Sequence, residues 1–136
     1  MKTAYNFGVL VNSGGRTPDQ LIDEIVTALT AQLTDTVHRE APSAESRSFA
    51  LASTSKEGLP AEHLIEINVK DAVASAFVDI ARQKFGPERV TGRDSMIYGT
   101  LSGETDWPLV HALVAYAVEK LSGLAWDERS GFMSPE

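Results

Sequence analysis

Tyr5-Asn6-Phe7-Gly8-Val9-Leu10-Val11, followed by Asn12-Ser13-Gly14-Gly15-Arg16 and then Thr17-Pro18-Asp19-Gln20-Leu21-Ile22, is the stretch whose reading decides the fold class. Tyr5, Phe7, Val9 and Val11 share one side of a strand by its two-residue period, and the Gly8 and Leu10 side is also nearly apolar. Such a strand is internal to its sheet. Asn12 to Gly15 ends it. Thr17 can cap a helix, Pro18 suits the first helical position, and Gln20 sits where a capping box needs it. Asp19, Asp23 and Glu24 favour the positive end of the helix dipole. Leu21, Ile22, Ile25, Leu29 and Leu33 form one apolar stripe, so a helix is predicted from Pro18 to Leu33.

Outward from that unit the chain stays well punctuated. Residues 34–48 are polar, with a loop at Ala41-Pro42-Ser43-Ala44 and a short strand over Thr36 to Arg39. Arg47 to Thr54 reads as a strand with Phe49 and Leu51 inward, and Lys56 to Pro60 as a turn. His63 to Lys70 alternates Ile65, Ile67 and Val69 with Glu66, Asn68 and Lys70, the pattern of one buried and one wet face. These two strands pair antiparallel. Asp71 caps a second helix whose expected buried stripe is Val73, Ala76, Phe77, Ile80 and Phe85, and Gly86-Pro87 ends it. Ser95 to Leu101 is a strand. Ser102 to Asp106 with Pro108 opens a third helix reaching Leu121, its stripe Val110, Leu113, Val114, Ala117 and Leu121, and Gly123 is expected as its left-handed cap. Leu124 to Trp126 is a last short strand, Asp127 to Gly131 a turn, and Phe132 to Glu136 a tail. The order β-α-β-β-α-β, then α-β, predicts a single α+β domain over residues 1–136. The expected form is a ferredoxin-like βαββαβ sandwich, with an antiparallel or mixed sheet, helices on one face, and an additional C-terminal helix and short strand.

Composition narrows the function classes. With 43% hydrophobic and 23% charged residues the chain is an ordinary globular sequence. No cysteine is present, which removes disulfides, thiolate chemistry and thiolate metal sites and fits a reducing, cytoplasmic setting. The apolar run near Leu109 to Val118 is shorter than the roughly 20 residues that cross a bilayer, and a net charge of −7 opposes nucleic acid and anionic membrane surfaces. The same charge steers a basic protein inward. No nucleophile elbow, phosphate-binding glycine loop ending in Lys-Ser/Thr or HExxH zinc motif occurs, so no catalytic residue, cofactor or metal site is assigned.

Two candidate sites remain. Ser13, Gly14, Gly15 and Arg16 lie between a strand and a helix N-terminus, where backbone N–H groups can hold an anion; with no P-loop Lys or dinucleotide fingerprint and with Asp19 close by, a plain strand-to-helix turn is the favoured reading. His38, His63 and His111 are too far apart in sequence for one element to present two ligands, and His111 is read as a partly buried structural residue. The second site is the end of the chain. Trp126, Asp127, Glu128 and Phe132, with Trp107 and Met133, could form an apolar patch for a partner. Alternatively Trp126 and Phe132 pack back on the domain while Asp127 turns the chain through its neighbours' N–H groups.

The capped helix followed by Trp126-Asp127-Glu128-Arg129-Ser130-Gly131-Phe132 resembles the ending of small acidic bacterial cytoplasmic proteins, among them immunity proteins of toxin–immunity pairs. The resemblance covers the chain from Asp106 onward. It implies a stoichiometric binder that neutralises a toxin, and it carries no catalytic residue over. The expected function is a non-catalytic protein-binding module, monomeric or homodimeric, whose partner is a basic toxin domain. A small-molecule-binding or enzymatic ferredoxin-like domain and a self-associating structural subunit are the alternatives.

Overall fold

The structure is a computed structural model that describes residues 5–33, 37–40, 48–53, 63–101 and 107–132. Seven strands and three α-helices follow in the order β1 (Tyr5–Val11), α1 (Pro18–Leu33), β2 (Val37–Glu40), β3 (Ser48–Ser53), β4 (His63–Val69), α2 (Ala72–Phe85), β5 (Ser95–Leu101), α3 (Trp107–Lys120), β6 (Leu124–Asp127) and β7 (Gly131–Phe132), with a short 3-10 turn at Pro87–Arg89 after α2. The α+β class is as read. The expected Ser102–Asp106 helix start, the Ala41–Ala44 loop, the Lys56–Pro60 turn and Met133 lie outside the described residues.

The strands form one sheet in the order β2-β3-β4-β5-β1-β6-β7, every neighbouring pair antiparallel. β1 lies inside the sheet, between β5 and β6. This order departs from the expected ferredoxin-like arrangement. β4 and β5 are adjacent and antiparallel, and α2 is an excursion between them, closed at its base where the Lys70 N–H donates to the Asp94 carbonyl at 3.1 Å. A split β-α-β unit does occur, but later in the chain. β5 and β6 both run antiparallel to β1, so they are parallel to each other, with α3 joining them and β1 between.

The helices also do not share one face, which corrects the other half of the expectation. Phe7, Val9, Val11, Ile65, Ile67 and Ile97 pack with Leu21, Ile22, Ile25 and Leu29 of α1 and Leu109, Val110, Leu113 and Ala117 of α3. Leu10, Met96, Leu124 and Phe132 point to the opposite side and pack with Ala74 and Ala81 of α2. The cause is visible in β1 and β5. Each carries apolar side chains on both faces, so each face needs a cover, and α2 supplies the second one.

Local signals explain the element ends. The capping box forms: the Gln20 N–H donates to Thr17 Oγ1 at 3.2 Å, and the Thr17 N–H to Gln20 Oε1 at 2.9 Å. Asp71 caps α2 by accepting the Ala74 N–H at 2.9 Å. At the end of α3 the left-handed residue is Ser122, φ 54°, and not Gly123. The Gly123 N–H closes a Schellman turn on the Val118 carbonyl at 3.2 Å and also reaches the Ala117 carbonyl at 3.1 Å. Gly123 is required for another reason: a Cβ there would crowd Val9 Cγ1 and lie 2.8 Å from the Ala117 carbonyl oxygen.

α2 is rotated relative to its predicted stripe. Ala74 and Ala81 are buried, and Phe77, Val78 and Phe85 are half-buried against the sheet. Val73 and Ile80 stand 40% and 49% exposed. Small alanines let the helix settle close to Leu10 and Met96, while Val73 and Ile80 are turned outward.

Candidate docking face

The sheet face under α2 carries a row of paired residues. Glu66 on β4 is opposite Tyr98 on β5, Tyr98 is opposite Gly8 on β1, Gly8 is opposite Trp126 on β6, and Trp126 is opposite Phe132 on β7. Gly8 has no side chain to stand between Tyr98 and Trp126, so their rings meet across it with centroids 5.8 Å apart and planes 30° apart. Phe77 reaches down from α2 onto both, 5.9 Å from Tyr98 and 5.1 Å from Trp126, the latter edge-to-face. Phe132 meets Phe77 and Phe85 edge-to-face at 6.3 and 6.5 Å. Such tilted and edge contacts suit the ring quadrupoles.

Two carboxylates flank this row. Glu66 Oε1 accepts the Asn68 side-chain amide at 3.2 Å, and the Glu128 carboxylate accepts the Asn6 N–H. Burial pushes the Tyr98 phenol above its ordinary pKa, and the charges of Glu128 and Glu66 push it further the same way. Val73, Phe77 and Ile80 lie at i, i+4 and i+7 of α2, so they share one side of the helix, and Phe77 of that side rests on the aromatic row. The result is a corner between helix and sheet. Its wall is Val73, Phe77 and Ile80, its floor is Tyr98 and Trp126, and its flanks are Glu66 and Glu128.

The C-terminal residues singled out from sequence are distributed unevenly over this corner. Trp126 is half-buried on the floor and Glu128 is exposed at its edge. Phe132 is 1% exposed and belongs to the packing beneath α2, anchored further by Lys84, which donates to its carbonyl. Asp127 turns the chain by accepting the Arg129 and Ser130 N–H groups at 2.8 and 2.7 Å, forming the β6–β7 hairpin. Trp107 is not part of this group. It is 51% exposed on α3, in the layer across the sheet, where its ring lies 5.7 Å from that of His111. His111 is exposed, not partly buried as expected. Sequence reading missed that Tyr98 is a neighbour of Trp126 and that Glu66 joins the same row. Only the register of β4, β5, β1 and β6 brings them together, and nothing local encodes that register.

The loop of Ser13, Gly14, Gly15 and Arg16 already holds an anion of the protein itself. Asp94 accepts the Ser13 N–H at 2.9 Å and the Ser13 and Ser95 hydroxyls at 3.1 and 3.0 Å, and it lies 3.9 Å from Lys70 Nζ. Burial alone would raise this carboxyl's pKa, but those hydrogen bonds and the Lys70 charge outweigh it and hold it below the usual range. The Gly14 N–H donates to Asn12 Oδ1 at 2.9 Å, the Arg16 N–H to the Ser13 carbonyl at 3.1 Å, and the Arg16 side chain pairs with Glu24 at 2.8 Å. The Ser13 N–H and hydroxyl thereby fasten β1 to the start of β5.

Among the described residues no group of three or more His, Asp or Glu side chains is placed to hold a metal ion, and no helix is long and apolar enough to cross a membrane. No family model matches the chain, and neither a curated protein nor a solved structure matches it.

Proposed function

We propose that this chain is a non-catalytic protein-binding module and that the corner between α2 and the sheet is where it docks a basic segment of its partner. The observation that carries this reading is the uncovered apolar line Val73–Phe77–Ile80 beside the half-buried Tyr98 and Trp126 rings. A helix that presents Val73 and Ile80 to water at seven-residue spacing, beside the Phe77 it packs on the sheet, leaves apolar surface for a partner to cover. Half-buried aromatic rings next to it supply rigid contact area of the kind that anchors interfaces. The flanking carboxylates and the net charge of −7 select a positively charged partner and speed its approach. Neutralisation of a basic toxin is the specific form that the C-terminal resemblance adds. It keeps the stoichiometric, inhibitory character of the complex and needs no chemistry from this chain.

The test begins with affinity capture from native cells using wild-type and Ile80→Asp baits, followed by binding of the purified candidate. A single basic protein is expected, held by wild type and lost to Ile80→Asp, and its toxicity on separate expression should be relieved by this chain. A partner bound equally by both baits would place the interface elsewhere. A partner that is harmless alone would remove the toxin form and leave the docking form.

A further inference from the structure

The floor of the corner has a feature that an apolar docking surface does not need. Tyr98 and Trp126 lie side by side across Gly8, with the Phe77 ring as a third wall; Glu66 is paired with Tyr98 at one end of the row, and Glu128, two residues after Trp126, holds its carboxylate beside the row on the Asn6 N–H. Both carboxylates are held in place by neutral donors, Glu66 by the Asn68 amide and Glu128 by the Asn6 N–H. Among the described residues neither carboxylate is in an ion pair. Two anions beside three half-buried rings make a concentrated negative potential, because the ring faces are themselves negative. Gly8 matters here because any side chain at that position would rise between the two rings. Its Cβ would already lie 2.5 Å from Met96 Cε and 2.6 Å from the Ile97 carbonyl oxygen.

We infer that this floor is a cation seat: one arginine guanidinium of the docking segment lies on the Tyr98 and Trp126 rings between the carboxylates of Glu66 and Glu128. The inference rests on the docking reading above for its biological source, but the seat itself is defined by these five residues, Gly8 included. A guanidinium fits better than an ammonium because it is planar, stacks on aromatic faces, and offers a fork of N–H donors to a carboxylate while shedding its hydration more easily. The raised Tyr98 pKa is in accord, since it reports both carboxylates acting on the phenol.

The chain contains two tryptophans, one on this floor and one on the opposite layer, so a single spectrum holds both the probe and its control. The ¹⁵N-labelled protein is titrated with N-acetyl-arginine methylamide and, separately, with the norleucine analogue, while the two indole N–H signals are followed. The Trp126 signal should shift saturably with the arginine probe and hardly with norleucine, and the Trp107 signal should stay put. Glu66→Gln and Glu128→Gln should each weaken arginine binding about fivefold, the range of an exposed ion pair or cation–π contact. Equal shifts with norleucine, equal shifts at Trp107, or unchanged affinity in both glutamine variants would overturn the seat. Because the assay contains no partner, its failure does not bear on whether a protein docks along Val73 and Ile80, and the loss of docking in Ile80→Asp does not bear on the seat. Well-dispersed spectra of the glutamine variants establish that they are folded.

Discussion

Truncating Phe77 to alanine tests the packing that holds α2 to the sheet. The ring is half-buried and touches Tyr98, Trp126 and Phe132 at centroid distances of 5.9, 5.1 and 6.3 Å. Losing about 100 Å² of buried apolar area, at about 25 cal/mol per Å², costs about 2.5 kcal/mol. The ring pairs contribute about 0.5–1.5 kcal/mol each beyond area, but Tyr98 and Trp126 keep their own contact and the space opens to water, so only about one such contribution is lost in full. The expected destabilisation is about 3 kcal/mol, at the low end for a phenylalanine truncated in a core. Urea denaturation followed by tryptophan fluorescence measures it, with Ile80→Ala as the companion. Ile80 is 49% exposed and should lose less than about 0.5 kcal/mol. A Phe77→Ala cost no larger than that of Ile80→Ala would mean that α2 does not lie on the sheet as described.

Other consequences are sharp enough to measure. Gly123→Val should destabilise by about 3 kcal/mol or more through overlap with Val9 and the Ala117 carbonyl, whereas Ser122→Gly, at φ 54°, should stabilise by about 0.5–1 kcal/mol. A Ser122→Gly change that destabilises in thermal melts would remove the left-handed role from Ser122. Asp94 has a depressed pKa in the fold, so its stabilisation is present above the unfolded carboxylate pKa of about 3.9 and is lost as pH falls through the lower folded value. Asp94→Asn should therefore flatten the acid limb of a stability-versus-pH curve, and an unchanged limb would remove Asp94 as the fastening of the Ser13 loop. Tyr98 is shifted upward, so the fold prefers the neutral phenol and stability falls as pH rises from about 10 through the folded value. Tyr98→Phe should remove part of that alkaline loss, and Glu66→Gln should lower the ultraviolet titration midpoint of this tyrosine.

The parts of the fold legible in the sequence are those set by local rules. The Thr17–Gln20 box and the Asp71 cap each need only a few neighbouring residues, and each forms as read, whereas Asn68, on the face of β4 expected to be wet, is 1% exposed because α2 covers that side. The sheet order was not legible, because a helical connection such as α2 can lead to a parallel or an antiparallel neighbour. The two-sided covering was partly written in β1, whose Phe7–Val9–Val11 and Gly8–Leu10 sides are both apolar, a pattern that calls for a helix layer on each face. The facing of α2 was lost for a different reason. The line through Val73 and Ile80 is more hydrophobic than the line through Ala74 and Ala81, yet close approach to Leu10 and Met96 favours the small residues. The same inversion hides the proposed docking face, since Val73 and Ile80, which stand out in the sequence as core, are left at the surface. β7 reads in the sequence as turn and tail because two residues show no period, although its pairing places Phe132 among the most buried side chains.

The most direct test of the docking face is site-specific photo-crosslinking in native cells, with p-benzoylphenylalanine replacing Ile80 in one protein and Trp107 in another. Both positions are about half exposed, and they lie on opposite layers of the fold. The account predicts one basic protein cross-linked from position 80, absent from position 107, and lost when Glu66 and Glu128 are both changed to Lys in a chain that still folds. An adduct formed from position 107 and not from position 80, or one from position 80 that survives both charge reversals, would contradict it.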